Sequence, residues 1–189
     1  MTSQELNNIW NYYLSLEQDI SNTSRYIEPD GQEDVHSFEF AKLLILACTE
    51  VESVFKAICF KISGEQPPAD IGKYKEMILG HYPKIIEASV TVNRLGKEIK
   101  PFQEWSKGPL SWWGAYQEVK HSRNLHFDRA TYRNAVNAIA ALYVAIFYLA
   151  KIEGIDFSNY ISSYISSKYS SVSFRCAPSN QLPDFEVTS

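Results

Sequence analysis

The sequence predicts an all-α fold: a helical bundle of four to six helices with a small β-hairpin insertion. Three observations predict it. Two long segments, about 4–20 and 37–62, repeat apolar residues every three or four positions, the period of one helix face. A third, Ala138 to Ala150, is apolar almost without interruption, yet short of the roughly 20 residues that span a bilayer. It reads as a helix buried in the middle of a bundle. Between them, Ile85 to Val92 is rich in β-branched residues, and Asn93-Arg94-Leu95-Gly96 offers a turn before Lys97 to Phe102, which reads as a hairpin.

Taken in order, the first helix starts after Ser3 as N-cap and carries Leu6, Ile9, Trp10, Tyr13, Leu16 and Ile20 on one face. Glu28-Pro29-Asp30-Gly31 ends that unit. The second starts after Ser37 and runs to about Ile62, where Ser63-Gly64 and Pro67-Pro68 stop it. A short helix spans Asp70 to Leu79 and ends at Gly80. Pro109 precedes another from about Leu110 to Arg123, and the last long helix runs from near Ala130 to Glu153, with Gly154 after it. Ile155 to Tyr164 reads as one further short helix. The expected organisation is a single helical domain over 1–165, with the hairpin insertion at about 84–104. A serine-rich, loosely ordered C-terminal tail over 166–189 follows.

Composition narrows the function classes. The chain has 189 residues, 45% of them hydrophobic and 21% charged, enough apolar side chain for one sizeable core. A net charge of -4 argues against coating nucleic acid through bulk charge, while leaving room for a local basic patch. The three cysteines, Cys48, Cys59 and Cys176, lie in no metal-like spacing, and two sit in an apolar helical run as buried thiols would. That usage predicts a reducing, cytoplasmic setting. Met1-Thr2-Ser3-Gln4-Glu5 has no basic region leading into an apolar stretch, so no secretory signal is expected, and with the longest apolar run too short for a span no membrane partner is expected. No glycine-rich phosphate loop, His-Glu-x-x-His zinc motif or serine nucleophile elbow appears, and no cofactor or metal is expected. His36 and His81 read as surface histidines, Asp30, Glu33 and Asp34 as a solvated acidic loop, and Glu52 with Lys56 as an ordinary i,i+4 pair.

The unusual segment is Lys120-His121-Ser122-Arg123-Asn124-Leu125-His126. Helical phase at 100° per residue puts Lys120 and Arg123 on the same side as Trp112, Trp113, Tyr116, Val119 and Phe127, with His126 at its edge. Cations on an apolar face need either an acidic partner or an anionic ligand, because an unpaired buried charge is costly. The acidic candidate is Glu50, on the flank of the second helix's apolar stripe, paired with Lys120 or Arg123. In that case the chain is a non-enzymatic interaction module. The anionic candidate is phosphate, held by Lys120, Arg123 and Asn124, since arginine offers a planar fork and lysine a mobile point charge. His121 and His126 can exchange protons near neutral pH, and with Arg123 they make the minimal catalytic set for metal-free RNA cleavage. Trp112 and Tyr116 are the candidates for stacking on a base.

A helical bundle with Arg123-Asn124 followed by His126 near a helix end resembles the HEPN (higher eukaryotes and prokaryotes nucleotide-binding) superfamily. The resemblance covers the helical pattern up to about Glu153. The family places four to six residues between its arginine and histidine. Only Asn124 and Leu125 separate Arg123 from His126 here, whereas the separation from Lys120 to His126 falls within that range. The resemblance implies RNA or nucleotide-phosphate binding and metal-independent endoribonuclease activity in bacterial phage defence or toxin–antitoxin systems. It further implies a homodimer with a composite site, and a protein partner such as an antitoxin.

Overall fold

The structure, a computed structural model, describes residues 1–28, 30–67, 69–92, 97–156, 174–176 and 183–185. Five α-helices carry it: α1 (Ser3–Thr23), α2 (Phe38–Ser63), α3 (Ile71–His81), α4 (Ser111–Ser122) and α5 (Tyr132–Ile152). A small sheet is formed by β1 (Val90–Val92), β2 (Lys97–Ile99) and β3 (Phe174–Cys176). The expected all-α architecture with a small hairpin is therefore present.

Local chemistry sets the helix ends. α1 is capped by Thr2 and not Ser3. The Thr2 hydroxyl accepts from the Glu5 amide at 3.2 Å while the Glu5 carboxylate accepts from the Thr2 amide at 2.7 Å. The reciprocal bonds satisfy two otherwise orphaned donors, which makes Thr2 the better cap. Ser37, Asp70 and Thr131 cap α2, α3 and α5 with one bond each, the side chain accepting the amide at the third helical position. Gly64 ends α2 in the left-handed region at φ 75°, a conformation that costs a glycine little.

α2 and α5 form the centre, with α1, α3 and α4 packed around them. Alanines at 135, 138, 140, 141 and 145 keep the buried surface of α5 narrow. This helix is longer than the apolar run that announced it and has the length and composition of a membrane span. Most of it is buried inside the protein, which accounts for its apolarity without a bilayer. Two aromatic clusters lock the shell to the centre. Trp10 and Tyr13 of α1 stack at 4.9 Å, and Tyr13 meets Tyr143 of α5 at 5.3 Å. On the other side Phe55 of α2 meets Phe102 and Trp105, both at 5.6 Å, and Phe102 continues to Trp112 of α4. The Trp112 indole N–H donates to the Pro101 carbonyl at 2.9 Å, so the ring is buried with its polar handle satisfied.

β1 lies between its two antiparallel partners, with Val90 opposite Ile99 on one side and Cys176 on the other. Its alternation sends Val90 and Val92 into the core and leaves Thr91 half-exposed. The strands are shorter than the expected insertion, because Ile85 falls in a 3-10 turn (Pro83–Glu87) instead. The turn expected at 93–96 lies outside the described residues, as do residues 157–164 of the expected short sixth helix. Of the tail expected to be loosely ordered from 166, two segments are described and both are docked. One is β3. The other is Pro183–Phe185, where Asp184 accepts from the Lys84 amide at 2.9 Å and the Tyr148 hydroxyl at 2.8 Å, and Phe185 stacks on Tyr82 at 5.4 Å.

Candidate functional site

The α4–α5 connection is built by backbone bonds. α4 stops at Ser122 without a glycine; its carbonyl accepts from the amides of Leu125 at 2.9 Å and His126 at 3.1 Å, closing a tight turn. A 3-10 turn (Phe127–Arg129) follows, lashed back to α4 by the Arg129 Nε–Glu118 Oε2 bond at 2.9 Å. The Asn134 amide group donates to the Arg129 carbonyl at 2.9 Å and ties the same turn to α5.

The α1–α2 connection packs against it. His36 and Thr131 form an antiparallel bridge, flanked by Tyr132 N to Val35 O at 2.9 Å and Ser37 N to Ala130 O at 3.2 Å. The acidic loop is not simply solvated. Asp34 receives Arg133 at 3.0 Å, and Glu33 and Asp30 receive Lys97 at 2.6 and 3.3 Å. The hydrogen bond from Lys97 holds the Glu33 carboxyl below its usual range. These bonds place Phe38, the first residue of α2, over Phe127, with ring centroids 4.7 Å apart, while His36 meets Phe127 edge-on at 5.2 Å.

Against this frame the expected site residues divide. Lys120 and His121, in the last turn of α4, and Arg123 and Asn124, just after it, are exposed, and His126 is half-buried. Lys120 Nζ donates to the Tyr116 hydroxyl at 3.1 Å and lies 5.2 Å from that ring's centroid. The hydrogen bond raises its pKa above the ordinary lysine value. Among the described residues, no hydrogen bond or ion pair engages the side chains of His121, Arg123, Asn124 or His126.

Three expectations are corrected. Lys120 and Arg123 are not on a buried face. Lys120 shares a side with Tyr116, but its stem runs along that ring to water. Arg123 keeps helical backbone angles as the C-cap of α4 (φ -50°, ψ -38°), yet its side chain is exposed at the end of the helix. Glu50 pairs with neither cation among the described residues. It is half-buried, burial pushes its carboxyl up, and its charge acts on Tyr12 of α1. The α2 carboxylate whose charge reaches Lys120 is Glu52, which is already bonded to Lys56 at 2.9 Å as the i,i+4 spacing predicts. Trp112 and Tyr116, only 2% and 1% exposed, are core and offer no face to a base.

The rings that are available were missed. Phe38 is 72% exposed, Leu125 is 80% exposed, and Phe127 is half-buried beneath Phe38. The signal was present, since Phe38 lies about 200° from Phe40 and so falls off the stripe of Phe40, Leu43, Leu44 and Ala47. Among the described residues, no group of three or more His, Cys, Asp or Glu is arranged to hold a metal ion. Both described cysteines are buried thiols. Burial pushes Cys59 up to about 11 and Cys48 higher than its usual value, so neither is a ready nucleophile.

Compared with known proteins, the chain matches no family model, no curated protein and no solved structure. The functional reading therefore stands on the residues themselves.

Proposed function

We propose that this chain is a HEPN-like RNA- or nucleotide-phosphate-binding protein that works through the turn from Lys120 to His126. The observation that carries the reading is the exposed Arg123, free of any carboxylate among the described residues, flanked by Lys120, His121, Asn124 and His126. An arginine left in water with its fork unoccupied is suited to bidentate capture of phosphate oxygens, and Lys120 adds a second cation one helical turn away.

The same set suits metal-independent endoribonuclease chemistry. His126 or His121 takes the proton of an RNA 2′-hydroxyl as that oxygen attacks the adjacent phosphorus. The bond to the 5′-oxygen breaks, a second imidazole returns a proton to the leaving oxygen, and a 2′,3′-cyclic phosphate and a 5′-hydroxyl result. Arg123 holds the charge that builds on the phosphoryl oxygens. The reading includes a homodimer, which brings two copies of the turn together, and a cytoplasmic role in bacterial phage defence or toxin–antitoxin regulation. Exposed Leu125 gives a second reading some support, in which the same face binds a protein partner such as an antitoxin without catalysis.

The test is incubation of the purified chain with RNA in a chelator, with binding and product ends measured together. Cyclic-phosphate ends that vanish in Arg123→Ala and His126→Ala are expected. Binding lost in Arg123→Ala without any cleavage in wild type removes catalysis and keeps recognition. Intact RNA with binding unchanged in both variants overturns the reading.

A further inference from the structure

Of the aromatic pair beside the turn, Phe127 packs against the core, but Phe38 does not, and nothing in the fold explains its exposure. Phe38 sits at the start of α2 with most of its ring in water, although a phenylalanine on the opposite helix face would have joined the core. Its inner side is supported by Phe127, which is supported in turn by the edge of His36. The outer face of Phe38 is open, so the three rings form a short row with one vacant end. An open depression of about 460 Å³, lined by Gln32, Asp34, Val35 and His36 among others, lies at the supported end of the row.

The row adjoins the cations through the chain itself. His126 precedes Phe127, and Arg123 lies four residues before Phe127, so at most about 14 Å of backbone separates them. The closed turn makes the true separation of the two backbones shorter. Neighbouring carboxylates have cation partners, with Asp34 on Arg133, Glu39 on Lys42 and Glu118 on Arg129, and exposed Asp128 has none among the described residues. An exposed ring that packs on Phe127, four residues after a cation with no acidic partner among the described residues, is complementary to a polyanion that carries flat apolar faces. A protein partner would use the ring but has no general need of the adjacent phosphate-type donors.

We infer that Phe38, backed by Phe127, is a stacking platform for an unpaired base, and that the ligand of the turn is single-stranded nucleic acid. The base lies on the open face of Phe38 while its flanking phosphates meet Arg123 and Lys120. A duplex keeps its bases stacked on one another and offers the platform nothing. This inference rests on the reading of the turn as a phosphate site, and it adds the part of the ligand that phosphate alone does not supply.

The experiment measures binding of the full chain to a short fluorescein-labelled oligoadenylate, to a blunt RNA duplex and to polyphosphate, which has the charge without the bases. Phe38→Ala is expected to weaken oligoadenylate binding about 5- to 100-fold, the range typical of one lost base–aromatic stack. It is expected to leave polyphosphate binding and the melting temperature unchanged, and Phe38→Trp restores the oligoadenylate affinity. Oligoadenylate binding that survives Phe38→Ala but is lost in Arg123→Ala overturns the platform and spares the phosphate site. Wild-type protein that binds neither oligoadenylate nor polyphosphate overturns both. A change of oligomeric mass in Phe38→Ala with oligoadenylate binding intact assigns the ring to a contact between copies and likewise overturns the inference.

Discussion

Two of the aromatic groups of this protein are treated in opposite ways. Around Phe55, Phe102, Trp105, Trp112 and Tyr116 every ring is buried, and the Trp112 N–H finds a carbonyl. At the α4–α5 turn, a few residues further along the chain, Leu125 stands in water, as does Phe38 of α2 where it packs on Phe127, and Arg123 has no acidic partner among the described residues. The first region spends apolar surface on stability. The second leaves both apolar surface and charge unspent, which is what a binding surface does before its ligand arrives.

The contrast is sharpest in stability. Trp112→Ala removes a buried ring that joins α4 to Phe102 and is expected to cost about 3–5 kcal/mol by chemical denaturation. A loss under 1 kcal/mol would mean that this cluster is not the buried anchor described. A smaller effect of opposite sign is expected at Tyr74, whose ring is buried and whose hydroxyl has no partner among the described residues. Burial, with lesser help from the charges of Glu52, Cys59 and Asp70, pushes that hydroxyl up to about 12. Tyr74→Phe removes the unsatisfied group and should add about 1 kcal/mol, raising the melting temperature by roughly 2–4 °C in a chain of this size. A fall in melting temperature would reveal a partner for the hydroxyl.

The smallest effect separates the two accounts of Glu50. A buried ion pair predicts that Glu50→Gln costs roughly 3–5 kcal/mol. With burial alone acting on it, the change is expected to fall within about 0.5 kcal/mol of wild type, on the stabilising side at neutral pH. Because burial raises the folded carboxyl above its unfolded value of 4.5, ionising it costs nothing at lower pH. The cost grows as pH rises from that value through the folded pKa and is complete above it. The advantage of Glu50→Gln should therefore appear across that rise and vanish in acid. Melting curves of both proteins from pH 4 to pH 7 check it.

Most of the fold was legible because helix periodicity and stop signals are local. The stripe of α2, its Ser37 cap and its Gly64 stop can each be read within a few residues. The site was legible in composition but not in placement. Helical phase put Arg123 on the apolar face, and its backbone does keep helical angles, but at the last position of α4 its side chain is open to water. Lys120 has the phase of an apolar residue and the length to escape it. The platform was hidden for a different reason. Phe38 and Phe127 are 89 positions apart, and the His36–Thr131 bridge with the backbone bonds beside it brings them together. The docking of Asp184 on Tyr148 was equally beyond a one-sequence reading, since each partner looks ordinary in its own segment.

The central claim is that the turn holds phosphate with cations the fold does not need. The direct measurement is the affinity of wild type and Arg123→Ala for single-stranded RNA across a salt series, with the melting temperature of each. The account predicts an affinity at least about tenfold weaker for one lost charged hydrogen bond. It also predicts a log–log salt slope shallower by about 0.7, one phosphate contact on a single strand, and an unchanged melting temperature. Equal affinity and slope in the two proteins, or a melting temperature that falls with Arg123→Ala, would contradict it.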